Sequence, residues 1–113
     1  MASTKPLIGI STNEITNFNG RQVSHSTGLR YVEAVKKFTD GIPILIPSYI
    51  NDEDLDQLLS KIDGLVLTGG RANVEPHHFG GNPFPSDEPI DVGRDEIVLK
   101  IIPKCVNLGM PIF

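Results

Sequence analysis

The residues best placed to do chemistry are Thr68-Gly69-Gly70, which directly follow the apolar run Leu65-Val66-Leu67. Two glycines at a strand end let the backbone turn sharply and leave amide N–H groups unshielded by side chains, so they can hold an oxyanion or a phosphate. A plain tight turn uses the same pair. There is no Gly-Lys-Ser/Thr and no spaced G-x-G-x-x-G, so a nucleotide cradle is unsupported and an oxyanion donor stays open. Cys105, the sole thiol, falls on the apolar stripe of a helix, away from any strand-to-helix turn and with no neighbouring His to lower its pKa. Core packing is its expected role. His77 and His78 are adjacent, so on an extended backbone their side chains diverge, and His25 is distant in sequence. A solvated or substrate-edge position is expected for them, with no metal, since ligation needs convergent donors. Asp87, Glu88, Asp91 and Asp95 could imitate a cation site but read as solvated or capping acids.

Alternating strands and helices must position these groups. Leu7-Ile8-Gly9-Ile10 is a short apolar run entering Ser11-Thr12-Asn13, as a buried strand enters a loop. Thr16 to Ser26 is polar and Gly-containing. Tyr31, Ala34, Val35 and Phe38 then fall at i, i+3, i+4 and i+7, one helix face, which Ser26 or Thr27 could cap and Gly41 could close. Ile42 to Ile46 is the second strand, with Pro43 at its entrance. Asn51 or Asp52 caps a second helix whose first turn is acidic and whose face is Leu55, Leu58, Leu59 and Ile62. Leu65-Val66-Leu67 is the third strand. From Arg71 to Val92 the chain is rich in Gly, Pro, Asn and Asp without a sustained period, a loop length that compact domains seldom carry without a use. A third helix begins near Gly93 or Arg94, with Ile97, Ile101, Cys105 and Leu108 along its stripe, and Pro111-Ile112-Phe113 opens a fourth strand. Pro103 inside that helix predicts a kink.

Such alternation predicts an α/β fold, a flavodoxin-like, doubly wound, mostly parallel sheet with helices on both faces. Ligands bind such sheets outside the carboxyl ends of the strands, which again selects the loop after Leu67. Composition narrows the partners. Ten Lys+Arg against fourteen Asp+Glu give a net charge of −4, without a basic cluster to grip nucleic acid or an anionic membrane. One Cys cannot form an internal disulfide, and the N-terminus has too few apolar residues for a signal peptide, so a cytoplasmic location is expected.

The block Ile62-Asp63-Gly64-Leu65-Val66-Leu67-Thr68-Gly69-Gly70, followed by Asn73-Val74-Glu75-Pro76-His77-His78-Phe79-Gly80, resembles the class I glutamine amidotransferase-like family, in particular its peptidase C26, γ-glutamyl-γ-aminobutyrate hydrolase type. Pro6-Leu7-Ile8-Gly9-Ile10, Tyr31 with Ala34-Val35, Gly41-Ile42-Pro43 through Ile46-Pro47, and Asp91-Val92-Gly93-Arg94-Asp95 extend the resemblance over most of the chain. Phe79 stands where the family usually has Tyr.

The resemblance implies a γ-glutamyl hydrolase in which a Cys attacks the γ-carboxamide and a His–Glu pair acts as base. That triad is expected beyond Phe113, which makes residues 1–113 the N-terminal part of a larger domain, truncated before the nucleophile turn and inactive alone. It also implies that Gly70, with Gly69, lends backbone N–H to the oxyanion. Asn73 is expected near the leaving group by its proximity to Gly70. Arg94 and Asp95 match an Arg-Asp pair read as a structural ion pair or cap that anchors the long loop. The implied partner is a small γ-glutamyl substrate, with no cofactor, no nucleic acid and no membrane, and a homodimer is left open. Two other readings remain, a non-enzymatic flavodoxin-like module binding a small anion or protein, and a glutaminase domain donating ammonia to a synthase.

Overall fold

The computed structural model describes residues 4–113, so the reading of the extreme N-terminus lies partly outside the described residues. Three strands, β1 (Leu7–Ser11), β4 (Ile42–Ile46) and β5 (Gly64–Val66), pair in parallel in the order β4-β1-β5. Leu65 bridges in parallel to Ile112, and Leu67 N–H donates to Phe113 O at 2.8 Å, so the expected fourth strand begins beside β5. In chain order the parallel strands therefore run 2-1-3-4, the doubly wound arrangement whose switch point lies between the first and third.

Period-two alternation divides the core. Ile8 and Ile10 pack with Val35 of α1 (Leu29–Thr39) on one face of the sheet. On the other, Ile46 and Leu65 meet Leu55 and Leu59 of α2 (Asp52–Leu59) and Ile97, Ile101 and Cys105 of α3 (Val92–Leu108). Gly9 is what lets α2's side of the sheet close, because a Cβ there would stand 2.7 Å from Ile46 Cδ1. Asn51 caps α2, its side chain accepting from Asp54 N at 2.8 Å, which satisfies one of the helix's orphan donors.

Several expectations change. Residues Thr16 to Ser26 do not form a mere connection: β2 (Asn13–Asn17) and β3 (Gln22–Ser26) make an antiparallel hairpin turned through Phe18, Asn19 and Gly20, all at positive φ. Neither Ser26 nor Thr27 caps α1; its N-cap is Gly28, without a side-chain bond, and the left-handed residue at its end is Asp40 rather than Gly41. Gly41 is needed for close approach instead, with Pro6 O 2.9 Å from where its Cβ would lie. Phe38 and Leu108, expected on buried stripes, are exposed. α3 runs unbroken through Pro103, which lies on the exposed side. No described helix is long and apolar enough to cross a membrane.

Candidate active site at the sheet switch point

The carboxyl ends of β1 and β5 are locked together by side chains. Ser11 Oγ accepts from Thr68 N at 2.9 Å, Thr68 Oγ1 donates to Ser11 O at 3.2 Å, and buried Thr12 ties the same end to β4 through Ile46 O at 2.8 Å. The Gly69-Gly70 turn thus starts from a fixed point. Asn13 Nδ2 donates to Gly69 O at 3.2 Å, and Gly69 N donates to the Tyr31 hydroxyl at 3.0 Å. Gly69, expected beside Gly70 as a second free donor, is therefore engaged by a side chain of α1. Gly70 N–H has no protein acceptor among the described residues.

Gly70 is also hemmed in. A Cβ on it would lie 2.9 Å from Asn13 Oδ1 and 3.1 Å from Arg94 Nη1, a crowding that only a flexible side chain could relieve. Asn13 Oδ1 is itself buried and has no partner among the described residues. A cavity of about 280 Å³ opens here, lined by Thr68, Gly69, Gly70, Asn73, Val74 and Arg94 among others. The structure thus brings Gly69, Gly70, Asn73 and Arg94 around one space.

Asp95 stands behind it. Arg94 Nη2 donates to Asp95 Oδ1 at 3.0 Å, both residues being buried, and the other carboxylate oxygen accepts from Glu75 N at 3.0 Å. The pair therefore holds Arg94 toward Gly70 and pins the long loop to the start of α3. Asp91, the N-cap of α3, accepts from Arg94 N and from Glu14 N, both at 3.0 Å, and so fastens the hairpin to the same helix end.

The hairpin is held to this end of the sheet by a polar cluster that its sequence does not announce. Glu14 and His25 face each other across β2 and β3, and both reach Ser48, which lies just beyond β4. Ser48 Oγ donates to Glu14 Oε1 at 3.0 Å and lies 3.0 Å from His25 Nε2. A Ser–His–Glu cluster invites comparison with a nucleophilic triad, but the chemistry does not match. With the serine proton given to Glu14, His25 Nε2 must carry the hydrogen it shares with Ser48, so it cannot act as base, and the carboxylate sits 3.5 Å from that same nitrogen rather than behind Nδ1. The three groups latch the hairpin down. Gly93 makes room for the latch, since a Cβ there would collide with Glu14 Oε1. The Asn19-Gly20 turn signal was the sequence feature that could have revealed this hairpin.

Cys105 is fully buried with its Sγ 3.8 Å from Met110 Sδ, and burial pushes its thiol pKa up. It is packing, not a nucleophile. His77 and His78 depart from expectation: Pro76–His78 is a 3-10 turn, not extended chain, and the two rings face each other at 4.0 Å.

A parallel α/β sheet with helices on both faces, and a glycine turn and a buried arginine at its switch point, defines a chain of the doubly wound class. The chain belongs to the peptidase C26 family, whose model matches residues 6–113. It is 41% identical over 75 residues to the γ-glutamyl-γ-aminobutyrate hydrolase PuuD of Escherichia coli K12, a match covering 65% of this chain and 28% of that protein. The corresponding hydrolase of Shigella flexneri is 40% identical over the same length. The glutamine amidotransferase-like protein RP404 of Rickettsia prowazekii is 26% identical over 113 residues, 96% of this chain and 39% of its own. The chain thus spans well under half the length of these relatives.

Proposed function

We propose that this chain is the N-terminal part of a hydrolase that cleaves γ-glutamyl amides through a cysteine thioester, and that it supplies the oxyanion side of the site. The observation that carries this reading is the Gly70 N–H, unpaired among the described residues at the switch point and flanked by Asn13 and Arg94. Attack of a thiolate on the γ-carboxamide carbon converts the carbonyl oxygen to an alkoxide. A donor already fixed in place stabilises that charge without reorganising, worth about 2.7–4 kcal/mol per donor. Arg94, whose other terminal nitrogen is engaged by Asp95, holds Nη1 beside Gly70 as a further N–H donor.

Cysteine, histidine and glutamate of the triad are assigned to polypeptide beyond Phe113. The C–N bond breaks as the histidine passes its proton to the leaving amine, and water then attacks the thioester, releasing the glutamyl carboxylate and restoring the thiol. Asn73, on the cavity wall, is assigned to the leaving-group side. The chemistry proposed needs neither metal nor organic cofactor, and its partner is a small γ-glutamyl compound. The names of the E. coli and Shigella relatives support γ-glutamyl-γ-aminobutyrate as the first substrate to try.

The test is an assay of the protein extended past Phe113 against γ-glutamyl-γ-aminobutyrate, glutamine and a γ-glutamyl peptide, with kcat/KM compared. Hydrolysis of the first is expected, and Gly70→Pro, which removes the N–H, should lower kcat by roughly 10²–10³-fold. A folded Gly70→Pro variant with undiminished turnover rejects the oxyanion role. No turnover of any of the three favours a non-enzymatic anion-binding module. Turnover of glutamine alone, rising with an acceptor protein, favours an ammonia donor, the reading nearest to RP404.

A further inference from the structure

The turn that follows the glycine loop places three metal-ligating side chains together, outside the cavity just described. Glu75, His77 and His78 each offer a donor atom, and these atoms all lie within 4.8 Å of one another. The backbone beneath them is held at several points. Glu75 N donates to Asp95 Oδ2 at 3.0 Å, His78 N to Glu75 O at 3.1 Å, Phe79 N to Pro76 O at 3.0 Å and Gly81 N to Pro76 O at 2.9 Å. Pro76 is buried and fixes φ at the start of the turn. At the far end Gly80, at φ +71°, takes the left-handed conformation that glycine favours, and Gly81 lies against the Phe79 ring.

The side chains on this rigid base have no competing use. Among the described residues, neither imidazole nor the Glu75 carboxylate takes part in a side-chain hydrogen bond or an ion pair, and the carboxylate does not close onto either ring. Both histidines are exposed and Glu75 is half-buried, so rotation of the side chains alone can draw the donors in. Zn–N and Zn–O bonds are about 2.0–2.2 Å, which sets tetrahedral donor separations slightly over 3 Å, a modest contraction from those seen. The 3-10 geometry is what makes this feasible, because it turns adjacent rings toward each other where an extended chain would separate them.

We infer that Glu75, His77 and His78 form a binding site for a divalent transition-metal ion of the zinc class. Two imidazoles and one carboxylate are borderline donors, suited to Zn²⁺ or Ni²⁺ and poorly suited to Mg²⁺ or Ca²⁺, which take oxygen. Three protein ligands leave the remaining positions to water or to a group on another molecule. The ion would sit on the loop side of the Asp95 anchor, one hydrogen bond away from the residue that holds Arg94, so it clamps the loop and takes no part in the amide chemistry.

Untagged protein titrated calorimetrically with Zn²⁺, and separately with Ni²⁺ and Mg²⁺, tests the site. One equivalent of Zn²⁺ is expected to bind, Mg²⁺ is not, and Zn²⁺ should slow amide exchange across residues 75–81. His77→Asn and His78→Asn, both at exposed positions, should each weaken Zn²⁺ binding by roughly 10-fold or more, and Glu75→Gln by a similar factor. Failure to saturate with Zn²⁺ overturns the inference. So does Zn²⁺ binding that persists at full strength in the folded His77→Asn/His78→Asn double variant, or saturation without any change in exchange at 75–81.

Discussion

The Arg94–Asp95 pair ties the long loop to the start of α3 and sets the guanidinium beside the glycine turn. That guanidinium and the Asp95 carboxylate are both buried, and a buried charge deprived of its partner typically costs about 3–5 kcal/mol. Asp95→Ala should lose that much in urea unfolding, because it strands Arg94 and also leaves Glu75 N–H without its acceptor. The smaller change Tyr31→Phe removes only the acceptor of Gly69 N–H, and about 0.5–1.5 kcal/mol is expected. Faster exchange of the Gly69 amide in that variant would check the assignment, and unchanged exchange would contradict it. In the sequence Gly70 stands out by its type and its place after a strand, whereas Arg94 and Asp95 stand out through the resemblance to the family's Arg-Asp pair. Asn13 and Tyr31 were invisible as parts of the turn, because their hydrogen bonds to Gly69 span 56 and 38 residues and no local pattern encodes such pairings.

Among the elements, α3 carries the clearest conflict between local preference and tertiary demand. Pro103 lacks the N–H that would bond Leu99 O and crowds that carbonyl, a cost of about 3 kcal/mol in a helix interior. The helix nevertheless continues, since Ile101 and Cys105 on either side are locked into the core and Leu99 is 40% exposed, where water can reach the freed carbonyl. Pro103→Ala should therefore raise stability by about 2 kcal/mol, the restored helix bond being partly offset by a freer unfolded chain. A higher urea midpoint at unchanged slope is the expected result. Cys105 offers a second check on the same helix: buried and with its pKa raised by desolvation, it should resist a thiol reagent near neutral pH until the chain unfolds. The strands and helices that bury apolar residues periodically were legible in the sequence. The β2–β3 hairpin was not, because Ile15 and Val23 are exposed and the bonds that tether it, Glu14 and His25 to Ser48 and Glu14 N–H to Asp91, are polar, so its composition mimics a loop.

At the scale of the molecule, the chain is more open than its length requires. Its radius of gyration is 15.3 Å, against about 13 Å for a compact domain of roughly this size. Tyr31, Ala34 and Phe38 of α1 face Val66, Leu67 and Phe113 across an apolar groove of about 660 Å³, and Phe38 and Phe113 are 77% and 93% exposed. This groove flanks the edge where Ile112 has begun to extend the sheet, so edge hydrogen bonds and apolar surface lie open together. A contiguous patch of this kind on a soluble chain drives association. Residues 1–113 alone should therefore bind a hydrophobic dye strongly and elute with a concentration-dependent apparent mass, while Phe38→Ser should weaken both effects. In the protein extended past Phe113, on the reading proposed above, the next strand pairs with the Ile112 edge and its following segment covers the groove, so dye binding should fall to the level of an ordinary globular enzyme. A chain of residues 1–113 that stays monomeric at every concentration and binds no dye would instead mean that α1 and β5 close the groove between them.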